Sequence, residues 1–184
     1  MKDDLVLIST HDLQWAGALR DAFQRLGYAT DLVTRHAVTF IEQARTPFLL
    51  YVAHGAPHYP YQGPDDPPVR RAGSRERLWN DRARDHVRPA YAAMIRSLDA
   101  SVGAIVTALE KRGLRKQTLV LVLSDNGPAG PGSAGGLRGR KGRLWEGGHR
   151  VPAIASWPGR ITPGTTPTPA ATIDLLPTLA ALSR

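Results

Sequence analysis

An apolar run that ends in Ser124-Asp125-Asn126-Gly127 constrains this chain more than any other feature. Thr118 to Leu123 reads as a strand. A Gly/Pro-rich loop follows, and out of it come Leu137-Arg138-Gly139-Arg140-Lys141-Gly142. Glu146-Gly147-Gly148 then leads into a second apolar run from Val151. Ligands of open α/β sheets gather at the C-terminal ends of strands, which is where Asp125 and Asn126 fall. A carboxylate beside an amide oxygen suits a hard divalent cation such as calcium. Glycines around Lys141 let backbone approach a bound group closely, and the lysine ammonium can meet an anion beside the metal. Together they can clamp negative charge developing on a sulfuryl or phosphoryl group. Each piece alone also fits a plain turn and a solvated lysine.

Other elements follow from periodicity. Leu5 to Ser9 is a short first strand, followed by His11-Asp12 and a helical pattern from Leu13 to Leu26. Thr30 to Ala44 carries one apolar helix face, with Thr30 or Asp31 as cap. Phe48 to Ala53 is a buried strand that runs into Ala56-Pro57-His58. Pro60 to Asn80 is a long connection in which Asp65-Asp66, followed by two prolines, reads as a turn and not a metal site. Tyr91 to Leu109 is the strongest helix, closed by Gly113. Val151 to Trp157 is another strand. Thr172 to Leu182 is a last helix, with Asp174 as N-cap and Pro177 in its first turn.

The ordered strings SDNG, LRGRKG, EGGHRVPAI and WPGRI resemble the sulfatase family, sulfuric ester hydrolases of the alkaline-phosphatase-like superfamily. PFLLYVAHGAPHYP and the helix before SDNG extend the resemblance over Tyr28 to Leu182. It implies an incomplete α/β, alkaline-phosphatase-like sulfatase fold, a mixed sheet flanked by helices. Residues 28–184 would be part of a sulfatase catalytic domain, and residues 1–27 a first β-α unit of uncertain origin. By resemblance Asp125 and Asn126 bind Ca2+, Lys141 contacts the substrate sulfate, and His58 touches the sulfate and helps protonate the leaving oxygen. A histidine suits that role because it titrates near neutral pH. LVLISTHDLQWAG weakly resembles the family's opening strand, with Asp12 as a further calcium ligand and His11 replacing its acidic neighbour. A strand, polar turn and helix also fits a receiver-type opening, or no more than a first β-α unit. His54 has no role carried over and reads as structural.

The chain has 184 residues and a net charge of +8, with 24 Lys+Arg against 16 Asp+Glu. That charge favours anionic partners: a sulfate ester or sulfated glycan, with nucleic acid less favoured. A solvated basic face is the plainer alternative. The absence of cysteine excludes disulfides, thiolate metal sites and a cysteine-derived nucleophile. MKDDLVLIST lacks a secretory h-region and no apolar run reaches spanning length, so the chain as written is expected in the cytoplasm without membrane contact. Sulfatase relatives are often exported.

The family also carries an upstream Cys-x-Pro-Ser-Arg or Ser-x-Pro-x-Arg segment whose first residue becomes the formylglycine nucleophile. Both forms are expected to be absent here. The sequence therefore reads as a sulfatase fragment or internally deleted form, with half a calcium site and no turnover of its own. Unpaired elements should expose apolar surface and favour self-association. The alternatives are a non-catalytic anion-binding module, or the same superfamily acting on a phosphate or phosphonate diester.

Overall fold

The computed structural model describes residues 4–9, 27–66 and 84–183. The helix expected over Leu13 to Leu26, with His11 and Asp12, lies outside the described residues, as does 67–83 of the long connection.

Strand β1 (Asp4–Ser9) pairs in parallel with β2 (Phe48–Ala53), Asp4 opposite Phe48 and Ser9 opposite Ala53. The bounds of β2 are those its apolar run suggests, but it is not buried on both faces. Phe48 and Leu50 turn into the core, while Leu49 and Tyr51 are 45% and 59% exposed. Alternate side chains of a strand point to opposite faces, and among the described residues nothing covers the second face.

Helix α1 (Ala29–Gln43) buries Leu32, Val33, Ala37 and Ile41, the stripe its spacing requires. No side chain caps it; Tyr28 stands at the N-cap, and Thr30 is buried in the first turn instead. The Tyr28 hydroxyl donates to the Gln62 carbonyl at 3.0 Å, which ties the helix start to the loop after β2.

Helix α2 (Arg84–Lys111) starts earlier than its stripe suggests and packs against α1. Ile41, Ala108 and Leu109 form the centre of the core, and Phe48 and Leu50 of β2 pack on it. Phe40 and Phe48 meet edge to face at 5.2 Å. Gly113, at φ +68°, closes α2, and the Leu114 N–H reaches back to the Leu109 carbonyl at 2.8 Å. Contrary to the sequence reading, His86–Lys111 is long and apolar enough by composition to cross a bilayer, its most apolar 18-residue window having a mean hydropathy of 1.4. It carries the buried face that meets α1, so it reads as the core helix.

A 3-10 turn (Arg115–Gln117) leads to β3 (Val120–Leu123), which pairs antiparallel with β4 (Ala153–Ser156). Val120 joins the same core as β2. Between β3 and β4 lies a short helix, α3 (Glu146–His149). A 3-10 turn (Thr172–Asp174) then starts α4 (Leu175–Leu182), with Asp174 accepting the Ala171 N–H at 2.7 Å. Pro177 falls in the first turn, as expected; Asp174 stands at the N-cap position, but its side chain caps no N–H of α4 and reaches back to Ala171 instead. Helix α4 buries no residue, and Ile173 and Leu176 are 81% and 76% exposed. The exposed apolar surface expected from the sequence is therefore present.

Half-buried His54 joins β2 to both helices. Its Nε2 and Ser101 Oγ lie 3.1 Å apart, and Ser101 Oγ shares a 2.6 Å hydrogen bond with Thr34 Oγ1. Burial lowers the His54 pKa below its ordinary 6.5. The unfolded chain then takes up a proton first as pH falls, so stability present above pH 6.5 is lost on descending toward the folded pKa. Melting temperature is expected to fall below about pH 6.5. Thermal scans of His54→Gln should show a flatter acid limb than wild type.

Candidate functional site

Strand β3 delivers Ser124 to Gly127 at its C-terminal end. The Ser124 hydroxyl donates to the Asn126 carbonyl at 3.1 Å, and Asn126 Nδ2 donates to the Gly127 carbonyl at 3.0 Å. This occupies the amide N–H and leaves the amide oxygen of Asn126 as an acceptor. Asp125 is exposed and its carboxylate has no hydrogen bond or ion pair among the described residues.

Glycines knit this turn to two later segments. The Gly127 N–H donates to the Gly148 carbonyl at 2.8 Å, and the Gly147 N–H donates to the Arg138 carbonyl at 2.7 Å. The Lys141 N–H donates to the Pro128 carbonyl at 3.0 Å, placing the lysine's backbone against the residue that follows the Asp125-Asn126-Gly127 turn. The Lys141 side chain is exposed. Arg138 stacks over the Trp145 ring at 3.6 Å. Gly139, at φ +90°, passes beneath Trp145, where a Cβ would come within 2.7 Å of the tryptophan Cβ.

His58 is exposed on the loop after β2; its N–H donates to the Gly55 carbonyl at 2.8 Å, and its Nδ1 lies 2.7 Å from the Tyr59 carbonyl. A carbonyl only accepts, so Nδ1 carries a proton. The His58 loop meets the glycine loop through Tyr61, whose hydroxyl stands where a Gly130 Cβ would be. Burial and neighbouring Tyr91 raise the Tyr61 pKa, while Arg140 opposes them. The structure thus joins the Asp125-Asn126 turn to the Lys141 segment directly and to His58 through tyrosines. Asp12 lies outside the described residues.

Ser156-Trp157-Pro158-Gly159-Arg160 does match the Ser-x-Pro-x-Arg pattern letter for letter, which corrects the expectation that neither form is present. It is not placed as a nucleophile. Ser156 pairs with Val120, at the opposite end of the β3–β4 ladder from the Asp125 turn. At about 3.3 Å per residue the separation is roughly 15 Å. The Ser156 hydroxyl is bonded to the Arg115 guanidinium, which also reaches the Ser156 carbonyl at 3.3 Å.

Sequence reasoning missed a second polar cluster. Asp66 accepts the Gly63 N–H at 2.7 Å, as a turn residue should, and also pairs with His86 at 3.4 Å. A cleft of about 280 Å³ opens there between Asp65, Ala93 and Arg96. Its signal in the sequence was no stronger than an acidic pair before prolines.

Oxygen-bearing side chains at a strand end, knitted through glycines to a lysine segment, are what this α/β chain brings together. The family model described as Sulfatase matches residues 3–183, and the chain belongs to the sulfatase family. It is 41% identical over 142 residues to arylsulfatase A of Homo sapiens, a match covering 74% of this chain and 25% of the relative. It is 30% identical over 165 residues to the uncharacterized sulfatase YdeN of Escherichia coli (strain K12), covering 86% of this chain and 28% of that one. The crystal structure of Ps i-CgsB superposes with a TM-score of 0.71 at 36% identity, covering 84% of this chain and 34% of that chain. A second structure of Ps i-CgsB, in complex with k-i-k-neocarrahexaose, gives 0.70 at 34% identity. The fold is therefore the alkaline-phosphatase-like sulfatase fold, in part. The chain spans about a quarter of the length of the curated relatives it matches.

Sulfatases generally use Ca2+. The donors at Asp125 and Asn126 fit that ion in kind, since both offer hard oxygen and neither oxygen is claimed by a protein donor. In number they fall short of the about six to eight oxygens calcium takes. No group of three or more His, Cys, Asp or Glu able to hold a metal occurs among the described residues.

Proposed function

We propose that this chain carries calcium and sulfate contacts of a sulfatase-family catalytic site, the machinery that hydrolyses a sulfate monoester to alcohol and sulfate. Asp125 and Asn126, with Asp12 as the further ligand read from sequence, would hold Ca2+, which when bound supplies positive charge beside the sulfate oxygens. Lys141 binds the sulfate. His58 offers a proton to the leaving oxygen, its ring oriented by the Nδ1 contact with the Tyr59 carbonyl. The observation that carries this reading is the unpaired Asp125 carboxylate at a strand end, one backbone hydrogen bond away from the Lys141 segment.

The substrate class we favour is a sulfated glycan, supported by the +8 net charge and by the oligosaccharide complex of the structural relative. Calcium and inorganic sulfate titrations by calorimetry test the contacts. Asp125→Asn should weaken calcium binding by at least about tenfold, because affinity follows ligand charge. Lys141→Ala should weaken sulfate binding by about tenfold, the loss of one charge-assisted contact. No turnover of an aryl sulfate is expected from this chain alone, since among the described residues none is placed as nucleophile. Robust hydrolysis by pure protein, abolished in Lys141→Ala, would contradict that.

The second reading is a non-catalytic anion-binding module, favoured by the same +8 charge. Saturable, salt-sensitive binding to a sulfated glycan that survives Asp125→Asn and Lys141→Ala would support it. The open faces around Ile154 and Leu176 are compatible with self-association in either case.

A further inference from the structure

We propose that Arg140 is a positioning residue: its guanidinium ties the Gly130 to Gly132 segment to the Lys141 segment and so fixes Lys141 relative to the Asp125-Asn126 turn. The functional side of this inference rests on Lys141 being an anion contact.

Arg140 Nη2 donates to the carbonyls of both Gly130 and Gly132, each at 2.7 Å. The next residue, Lys141, donates its N–H to Pro128 at 3.0 Å. Three bonds from two adjacent residues therefore hold 140–141 along 128–132. Two of them come from a cation, and charge-assisted bonds are the stronger kind.

The clasped segment cannot hold itself. Residues 129–136 read Ala-Gly-Pro-Gly-Ser-Ala-Gly-Gly, in which Ser133 is the single polar side chain. Such a stretch loses much conformational entropy on ordering and has few contacts of its own to offset it. Its other side is met by tyrosines. A Cβ at Gly130 would collide with the Tyr61 hydroxyl, and one at Gly132 would come within 3.0 Å of the Tyr91 hydroxyl. Tyr61 and Tyr91 meet edge to face at 5.8 Å, and Tyr61 meets Tyr59, the residue beside His58, at 6.0 Å. The glycine segment is thus gripped between the His58 loop with α2 on one side and Arg140 on the other. Arg140 is itself exposed and lies outside the buried core, so its side chain acts on the segment and not on the fold.

The test compares wild type, Arg140→Met and Arg140→Lys by amide hydrogen exchange, sulfate calorimetry and thermal melting. Arg140→Met should reduce protection of the Lys141 amide by about tenfold and weaken inorganic sulfate binding several-fold, with melting temperature nearly unchanged. Arg140→Lys should recover part of both, because one ammonium nitrogen can also serve two carbonyls. Unchanged Lys141 protection in Arg140→Met would overturn the proposal. So would a uniform loss of protection with a collapsed melting temperature, which would make Arg140 a general stabiliser. If wild type fails to bind sulfate, the reading of Lys141 fails, and the exchange data still decide the clamp.

Discussion

Gly147→Ala is expected to dismantle the site. A Cβ at Gly147 would strike the Gly139 carbonyl oxygen and stand 2.8 Å from the Arg138 carbonyl, the acceptor of the Gly147 N–H. Both obstacles are backbone, so no side chain can rotate away. Relief requires the Arg138–Gly142 segment to move off the Glu146–His149 helix. That breaks the Gly147–Arg138 bond and displaces Lys141, two residues after Gly139. Overpacking costs about 1–3 kcal/mol, and each lost hydrogen bond adds about 0.5–1.5 kcal/mol. Sulfate affinity should drop by at least about tenfold, since about 1.4 kcal/mol corresponds to that factor. Gly164→Ala is the control, because a Cβ there meets nothing within 4 Å. Calorimetry and melting curves on the two variants give the comparison; equal sulfate affinity in both would contradict the packing described.

Leu109→Ala should produce the largest loss of stability. Leu109 is 2% exposed and sits with Ile41 and Ala108 where α1, α2, β2 and β3 converge. Truncating a leucine at such a point costs about 2–5 kcal/mol, the removed surface plus the cavity left behind. Whole domains are stable by only about 5–15 kcal/mol. Leu49 and Tyr51 of β2 are exposed and α4 has no fully buried residue, so stability should lie low in that range. Chemical denaturation is expected to show a marginal or absent cooperative transition in Leu109→Ala. A shift under about 1 kcal/mol would mean that the core centre lies elsewhere.

Much of this architecture was legible because its signals are local. The bounds of β2 follow from one apolar run between Pro47 and His54, and α2 from a stripe with a glycine stop at 113. The Asp125 turn and the Lys141 segment could be read as partners because their spacing matches a family string. What was not legible depends on distant contacts. Exposure of Leu49 and Tyr51 depends on what packs against that face of β2, which an apolar run cannot reveal. The four-residue helix at Glu146 contains two glycines and has no helical propensity to announce it. Arg140 reaches back 8 and 10 residues to Gly132 and Gly130, while Tyr61 and Tyr91 meet the same glycines from about 70 and 40 residues away, and neither contact leaves a pattern. Ser156 shows the opposite failure: five letters fit a modification pattern, while the sheet register places the serine at the wrong end.

The central claim is that Asp125, Asn126 and Lys141 act together as one cation-and-anion site. Amide NMR titration of the intact chain with calcium, then with inorganic sulfate, tests it most directly. Saturable calcium shifts centred on Asp125 to Gly127, followed by sulfate shifts centred on Lys141 and Gly142 that tighten when calcium is present, are the expected result. Non-saturating shifts scattered over exposed arginines, with Asp125 and Lys141 unmoved, would contradict it.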